Sequence, residues 1–279
     1  MTNNNATTSM SSTTGPRRGR GIAIAFTVVG LVIAGSGIAV AAASAARIGD
    51  KQSDVLTADA EGVQRIDVNN SDSSFTVVFD DVDEATLTVQ TNRAKGISSW
   101  NLTTQDDTLV VHNDSGWFSG GPWFGFFGEE TVTLTLPEEL NGKLELDLQN
   151  SAGAAIVTGD FVTADIEISA GDVQLSGVID DLAVTVSAGS ARLAARDVET
   201  LDVEVSAGSV RGTIAGTAPT TSTFSVSAGD VNLAMPDQEY RVSSDVSFGD
   251  ADIDLDTNSS ASRSITVNVS AGDLTLRRD

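Results

Sequence analysis

The 279-residue chain lacks cysteine altogether, carries a single histidine and has only 16 basic residues against 39 acidic ones. Without cysteine there can be no zinc finger, haem attachment, thiol nucleophile, lipid-modified cysteine or disulfide framework. One histidine, His112, excludes multi-histidine metal sites and leaves a single candidate base, with no nucleophile placed beside it. A net charge of -23 disfavours nucleic acid, whose phosphates would meet a like-charged surface. Aromatic residues are scarce at 5%, so a core must be built from valine, isoleucine, leucine and alanine.

The charges that are present are segregated. Arg17, Arg18, Arg20 and Arg47 precede every acidic residue. Residues 21–46 carry no charge at all. As a helix that run would be about 39 Å long at 1.5 Å per residue, enough to span a bilayer. Basic residues just ahead of it predict a cytoplasmic N-terminus and an extracellular acidic remainder. The expectation is therefore a single-pass cell-membrane protein: a disordered basic tail over 1–20, a transmembrane signal-anchor over 21–46 and a spacer over 47–62. Ala43-Ser44-Ala45 also fits a secretory cleavage site, but the apolar run is longer than the usual signal core.

The strongest pattern is an internal repeat. Ser-Ala-Gly, or a close variant, recurs with its glycine at Gly153, Gly171, Gly189, Gly208, Gly229, Gly249 and Gly272. A period near 20 residues indicates a solenoid of short units. Before each triplet the apolar residues alternate, as in Leu201-Asp202-Val203-Glu204-Val205. After it the alternation resumes one place out of step, as at Val210. A straight strand cannot change parity, so the chain must turn a corner at each triplet. Glycine there supplies backbone angles other residues resist, and alanine is small enough to point inward. Phe248, in place of alanine, needs a wider corner or a ring turned outward. The reading is an all-β, single-domain β-solenoid (parallel β-helix-like) with about 20 residues per coil, preceded by the transmembrane helix. Residues 63–136 form irregular N-terminal coils and 137–279 the regular ones. Ile66-Asp67-Val68-Asn69-Asn70-Ser71 matches Leu146-Asp147-Leu148-Gln149-Asn150-Ser151 and marks a degenerate copy of the repeat.

A strand-rich region ending at Leu134-Thr135-Leu136-Pro137, followed by serial Val-Ser-Ala-Gly-Asp-Val units, resembles the bacterial putative-adhesin family, a β-strand-repeat domain of unknown function. The resemblance covers roughly 64–276. It implies a β-solenoid at the cell surface with no established enzymatic activity. Some relatives are associated with envelope-stress systems.

Candidate sites are few. Residues 116–128 hold Trp117, Phe118, Trp123, Phe124, Phe126 and Phe127 among glycines and a proline, which makes a loop. Such rings can contact a partner, or the loop can cap the open end of the solenoid. Asp230, Asp250 and Asp273 follow corner glycines, and with Asp252 they are weak calcium candidates. A solvated acidic face explains them as well. Arg192, Arg196 and Arg211 form the one basic cluster and are expected to pair with acidic neighbours. His112 and Tyr240 read as structural. No catalytic constellation, metal site or cofactor is expected. The function read from these features is a membrane-anchored, non-enzymatic surface solenoid that binds an envelope or extracellular ligand. The alternatives are a regulatory accessory of an envelope-stress membrane system and a polysaccharide-active β-helix enzyme.

Overall fold

The computed structural model describes residues 46–48, 51–91, 100–113 and 129–279. The first strands are β1 (Ala46–Ile48), β2 (Lys51–Ala58), β3 (Arg65–Asn70), β4 (Ser74–Asp80), β5 (Ala85–Thr91), β6 (Trp100–Gln105) and β7 (Thr108–Asn113). The middle ones are β8 (Glu130–Pro137), β9 (Glu145–Asn150), β10 (Ala154–Thr158), β11 (Phe161–Ile168), β12 (Asp172–Val186) and β13 (Ser190–Arg196). The last are β14 (Thr200–Val205), β15 (Ser209–Ala215), β16 (Thr221–Met235), β17 (Tyr240–Val246), β18 (Asp250–Asp254) and β19 (Arg263–Arg278).

Each coil is a strand, a three-residue corner and a second strand. The first strands stack in parallel as one sheet and the second strands as another. Alternation along each strand sends one set of side chains inward, and both sheets feed a single core of aliphatic residues such as Ile66, Leu148, Ile166, Val203 and Val267. Among the described residues there are nine such rungs. At about 4.8 Å per step the stack is about 38 Å long. Because β12 and β16 pass from one face to the other, the pairings β12–β13–β15–β16–β14–β12 form a closed, barrel-like ring. The matching segments 66–70 and 146–150 lie side by side in register.

The order of rungs in space is not the order in sequence. β19 lies between β16 and the β17/β18 coil, pairing with both. At the other end β7 and β8 stack outside β3 and β4. Antiparallel strands continue that end: β6 on β7, and β5, β2 and β1 in succession on β8. Hydrophobic burial explains the C-terminal exchange. β19 offers Ile265, Val267, Val269, Leu274 and Leu276 inward, all buried. β17 offers Val242, Ser244 and Val246, and Val246 is 38% exposed. The more apolar coil takes the position with neighbours on both sides. The weaker one becomes the end rung, with Asp250, Asp252 and Asp254 along its edge, and charged residues on an edge discourage further strand addition.

Three expectations change. The helix expected over 21–46 meets the described residues only at Ala46, which opens β1 and pairs antiparallel with Ser53. The rest of that segment lies outside the described residues. Among the described residues there is no α-helix, and so none long and apolar enough to cross a membrane. The anchor, the single-pass cell-membrane topology with a cytoplasmic N-terminus and extracellular C-terminal domain, and the membrane as a partner through residues 21–46 fall with it. Lys51–Ala58, expected in a spacer, pairs with β5 along its length, from Gln52 to Ala58. Corner alanines such as Ala170, Ala188, Ala207 and Ala228 face solvent, not the core.

The corner glycines also act for a different reason. Gly171, Gly189, Gly208 and Gly229 do not have positive φ. What they lack room for is a Cβ: at Gly208 it would stand 2.5 Å from the Gly189 carbonyl oxygen, and at Gly189 2.3 Å from that of Gly171. The backbones approach so closely because the hydrogen-bond ladder continues around the corner, with Ala188 N–H donating to Ser169 at 2.9 Å and Ala207 N–H to Ser187 at 2.9 Å. The Phe248 ring turns outward, 78% exposed.

The crossover that lets β17 skip a rung is held by Tyr240. Its ring is fully buried and its hydroxyl donates to the Pro236 carbonyl at 2.9 Å. Its backbone exchanges bonds with Asp256 and Asn258, each 2.9 Å. Burial pushes the phenol up to about 12, while Arg263 pulls it down.

Two outcomes follow from this packing. Gly208→Ala should lower stability by about 1–3 kcal/mol in urea unfolding, the usual cost of forcing a carbon into a packed site. Tyr240 is the only tyrosine, so tyrosinate absorbance reports it alone. The folded protein should titrate near 12 and the urea-unfolded chain near 10. The native state then holds a proton the unfolded state has lost, so wild-type stability should fall between those pH values. Tyr240→Phe should lack that step and lose about 1 kcal/mol at neutral pH with the hydrogen bond.

Candidate functional site

The outward face of the second sheet is built from residues at fixed offsets after each corner. Three places past the corner glycine, Ile156, Gln174, Arg192, Arg211 and Asn232 pair successively across five strands. Their side chains form one row about 19 Å long at the strand spacing. Beside the row lies a groove of about 400 Å³ lined by Ile156, Gln174, Ser176, Arg192, Arg211 and Gly212. Gly212 stands where the neighbouring rungs place Leu193 and Leu233. A Cβ there would lie 1.9 Å from the Leu193 carbonyl oxygen, so the position admits only glycine. Ile156 is 42% exposed, an apolar surface at one end of a polar row.

The two guanidinium groups are lightly engaged. Arg192 Nη1 stands 3.9 Å from an Asp172 carboxylate oxygen, which also accepts a hydrogen bond from Ser190. Arg211 Nη1 donates to the Ser209 hydroxyl at 2.8 Å. Arg65 differs: it meets Glu145 with both Nε and Nη2. The expected pairing of the basic cluster with acidic neighbours is thus confined, among the described residues, to Arg192 and the long contact with Asp172.

A second polar assembly lies near the other end. Glu130, buried at the start of β8, accepts hydrogen bonds from Trp100 Nε1 and from the Ser73 hydroxyl, both 3.0 Å. Asn70 donates to Asn150 at 2.7 Å and to the Ser73 carbonyl at 3.0 Å. The Trp100 ring stacks on Phe75 with centroids 5.6 Å apart. These contacts tie the β3/β4 corner to the place where the chain enters β8.

Trp117, Phe118, Trp123, Phe124, Phe126 and Phe127 lie outside the described residues. Their attachment points do not. β7 and β8 form one rung, joined by sixteen residues where every other rung has a three-residue corner. The aromatic segment therefore links the two strands of a single rung, a relation that no Ser-Ala-Gly triplet marks in the sequence. The corner glycines stack in the order Gly153, Gly171, Gly189, Gly208, Gly229, Gly272, Gly249. Asp230, Asp273 and Asp250 accordingly share a column, with Asp273 in the middle, while Asp252 pairs with Thr275. Among the described residues no group of three or more His, Cys, Asp or Glu could hold a metal. His112 pairs in register with Asn101. The row of Gln174, Arg192 and Arg211 was readable from the repeat, by counting three from each glycine. The Glu130 assembly was not, because its members lie 57 and 30 residues apart.

The family model for Toastrack DUF4097 matches residues 63–278. No curated protein matches the chain. A "putative adhesin" from Parabacteroides distasonis is 13% identical, with a TM-score of 0.46 over 81% of this chain and 97% of that one. A "putative adhesin" from Parabacteroides merdae is 12% identical, with a TM-score of 0.45 over 81% and 96%. A "putative cell adhesion protein" from Clostridium sporogenes is 10% identical, with a TM-score of 0.39 over 82% and 100%.

The outward face of the first sheet is acidic. Asp67, Asp147 and Asp165 stand on neighbouring strands in one column. Partial burial, followed by the charges of Asp67 and Asp165, raises the Asp147 carboxyl above its ordinary value, against a smaller pull from Arg65. A raised carboxyl favours the folded state most when protonated, and that advantage is lost as pH rises through its folded value. Asp147→Asn should therefore unfold at higher urea than wild type at pH 7. The gap should close below the ordinary carboxylate range and narrow in high salt.

Proposed function

The chain belongs to the Toastrack DUF4097 family, and on that footing we propose that it is a non-enzymatic, adhesin-type binding domain. The observation that carries this reading is the sixteen-residue interval between β7 and β8, the two strands of one rung. That interval follows Asn113 at the end of β7 and leads into buried Glu130 at the start of β8. A segment rich in Trp and Phe at such a position supplies large contact area at low cost in side-chain entropy. Trp117, Phe118, Trp123, Phe124, Phe126 and Phe127 are the proposed partner-binding residues. The corner glycines serve the scaffold alone.

The chemistry of the described residues favours binding over turnover. The acidic groups of the first sheet's outer face are carboxylates in columns, and the single histidine lies at a strand end. Catalysis by an acid–base pair needs two groups held in environments that separate their affinities for a proton. The described residues place none around the groove.

Binding of the chain to cell-wall polysaccharide and peptidoglycan should be measured for wild type and for Trp117→Ala/Trp123→Ala. The double variant should lose at least tenfold in affinity while its unfolding midpoint stays unchanged. Equal binding by a folded double variant would remove the aromatic segment as the contact surface.

A further inference from the structure

We propose that the groove beside Arg192 and Arg211 is a second binding site, one that takes the carboxylate of an acidic glycan of low charge density. The inference rests on the reading of the chain as a binding domain but uses a different face. Arg192 and Arg211 are direct partners on adjacent strands, so their guanidinium groups project from the same side one strand spacing apart. Each guanidinium has five N–H donors in a planar fork that fits a carboxylate. The contacts described above use few of them: one hydroxyl for Arg211 and one distant carboxylate for Arg192. Two cations side by side repel, and an anion between them removes that repulsion.

The surroundings narrow the ligand. Gln174 and Asn232 flank the arginines in the same row, and Ser176 lies across the groove. Amides and hydroxyls are suited to sugar hydroxyls. Ile156 supplies an exposed apolar surface for the face of a sugar ring. No aromatic side chain lines the groove, so bases would find no stacking platform there. The protein as a whole carries a charge of -23, and that field repels dense polyanions. A glycan in which an acidic sugar alternates with a neutral one brings one carboxylate to the arginines and little charge elsewhere. A nucleic acid or a fully sulfated polymer does not.

The test uses the full chain and fluorescently labelled hyaluronan oligosaccharides, in which uronate alternates with a neutral sugar. Anisotropy titrations should show saturable binding by wild type. The carboxyl-reduced oligosaccharide should bind at least tenfold more weakly, and so should hyaluronan to Arg192→Gln/Arg211→Gln. Arg192→Lys/Arg211→Lys keeps the charge but loses the fork, and should recover only part of the affinity. Both pairs are on the exposed face, and unchanged unfolding midpoints would show that folding is intact. The proposal is overturned by absence of hyaluronan binding, by equal binding of the carboxyl-reduced form or the glutamine variant, or by tighter binding of single-stranded DNA. Two results separate it from the reading it rests on. Envelope binding lost in Trp117→Ala/Trp123→Ala, with no hyaluronan binding by any protein, would retain the adhesin reading and end this one. Hyaluronan binding that depends on the arginines, without envelope binding, would do the reverse.

Discussion

The fold depends on how closely one rung's backbone can approach the next at the corner. Between the corner of one coil and the carbonyl of its neighbour there is no space for a single carbon atom. That closeness lets the ladder of backbone hydrogen bonds run around the bend without interruption. It also satisfies polar groups that a sharp turn would otherwise leave without partners. Once the corners are fixed, the register of both sheets is fixed, because each strand is measured from its corner. The inward row of aliphatic residues and the outward rows of acids, hydroxyls and arginines are consequences of that registration.

Neighbour order answers to a different force. The repeat specifies what a coil looks like, and it does so almost identically for 240–254 and 263–278. Which of the two lies against β16 is decided by apolar content: Ile265, Val267 and Val269 are buried, while Ser244 and Val246 face solvent at the end. The end rung carries what an end can tolerate, with aspartates along its edge. Arg278 pairs with Asp256 at 2.7 Å and Asp237 at 3.5 Å, tying the interior rung to the loops around it.

This explains what could and could not be read in advance. Alternation and the displaced parity after each glycine contain the strands, the corners and the inward residues, since those are local properties of about ten residues. Spatial order is a comparison between distant segments, and periodicity is silent on it. The uncharged run before Arg47 reads as a membrane helix by composition, yet Ala46 is in a strand, because pairing with β2 is a tertiary choice that hydropathy does not contain. The candidate sites divide in the same way. The arginine row follows from counting along the repeat. The aromatic segment shows its composition but not that it links the two strands of one rung, and the Glu130 assembly depends on residues from five separate strands and a corner.

The displaced position of β19 has a consequence for how the molecule is assembled. Synthesis from the N-terminus delivers β17 and β18 before the strand that separates them from β16. Until the last sixteen residues of the β structure emerge, the exposed side of β16 faces a coil of the right length and the right period but the weaker core. The native arrangement is thus closed by β19, which follows β17 and β18 in sequence, through contacts distant in sequence, the slow kind in β folding. A molecule lacking that strand would not be the same stack one rung shorter. It would have to seat its end rung on a neighbour that the native fold never gives it.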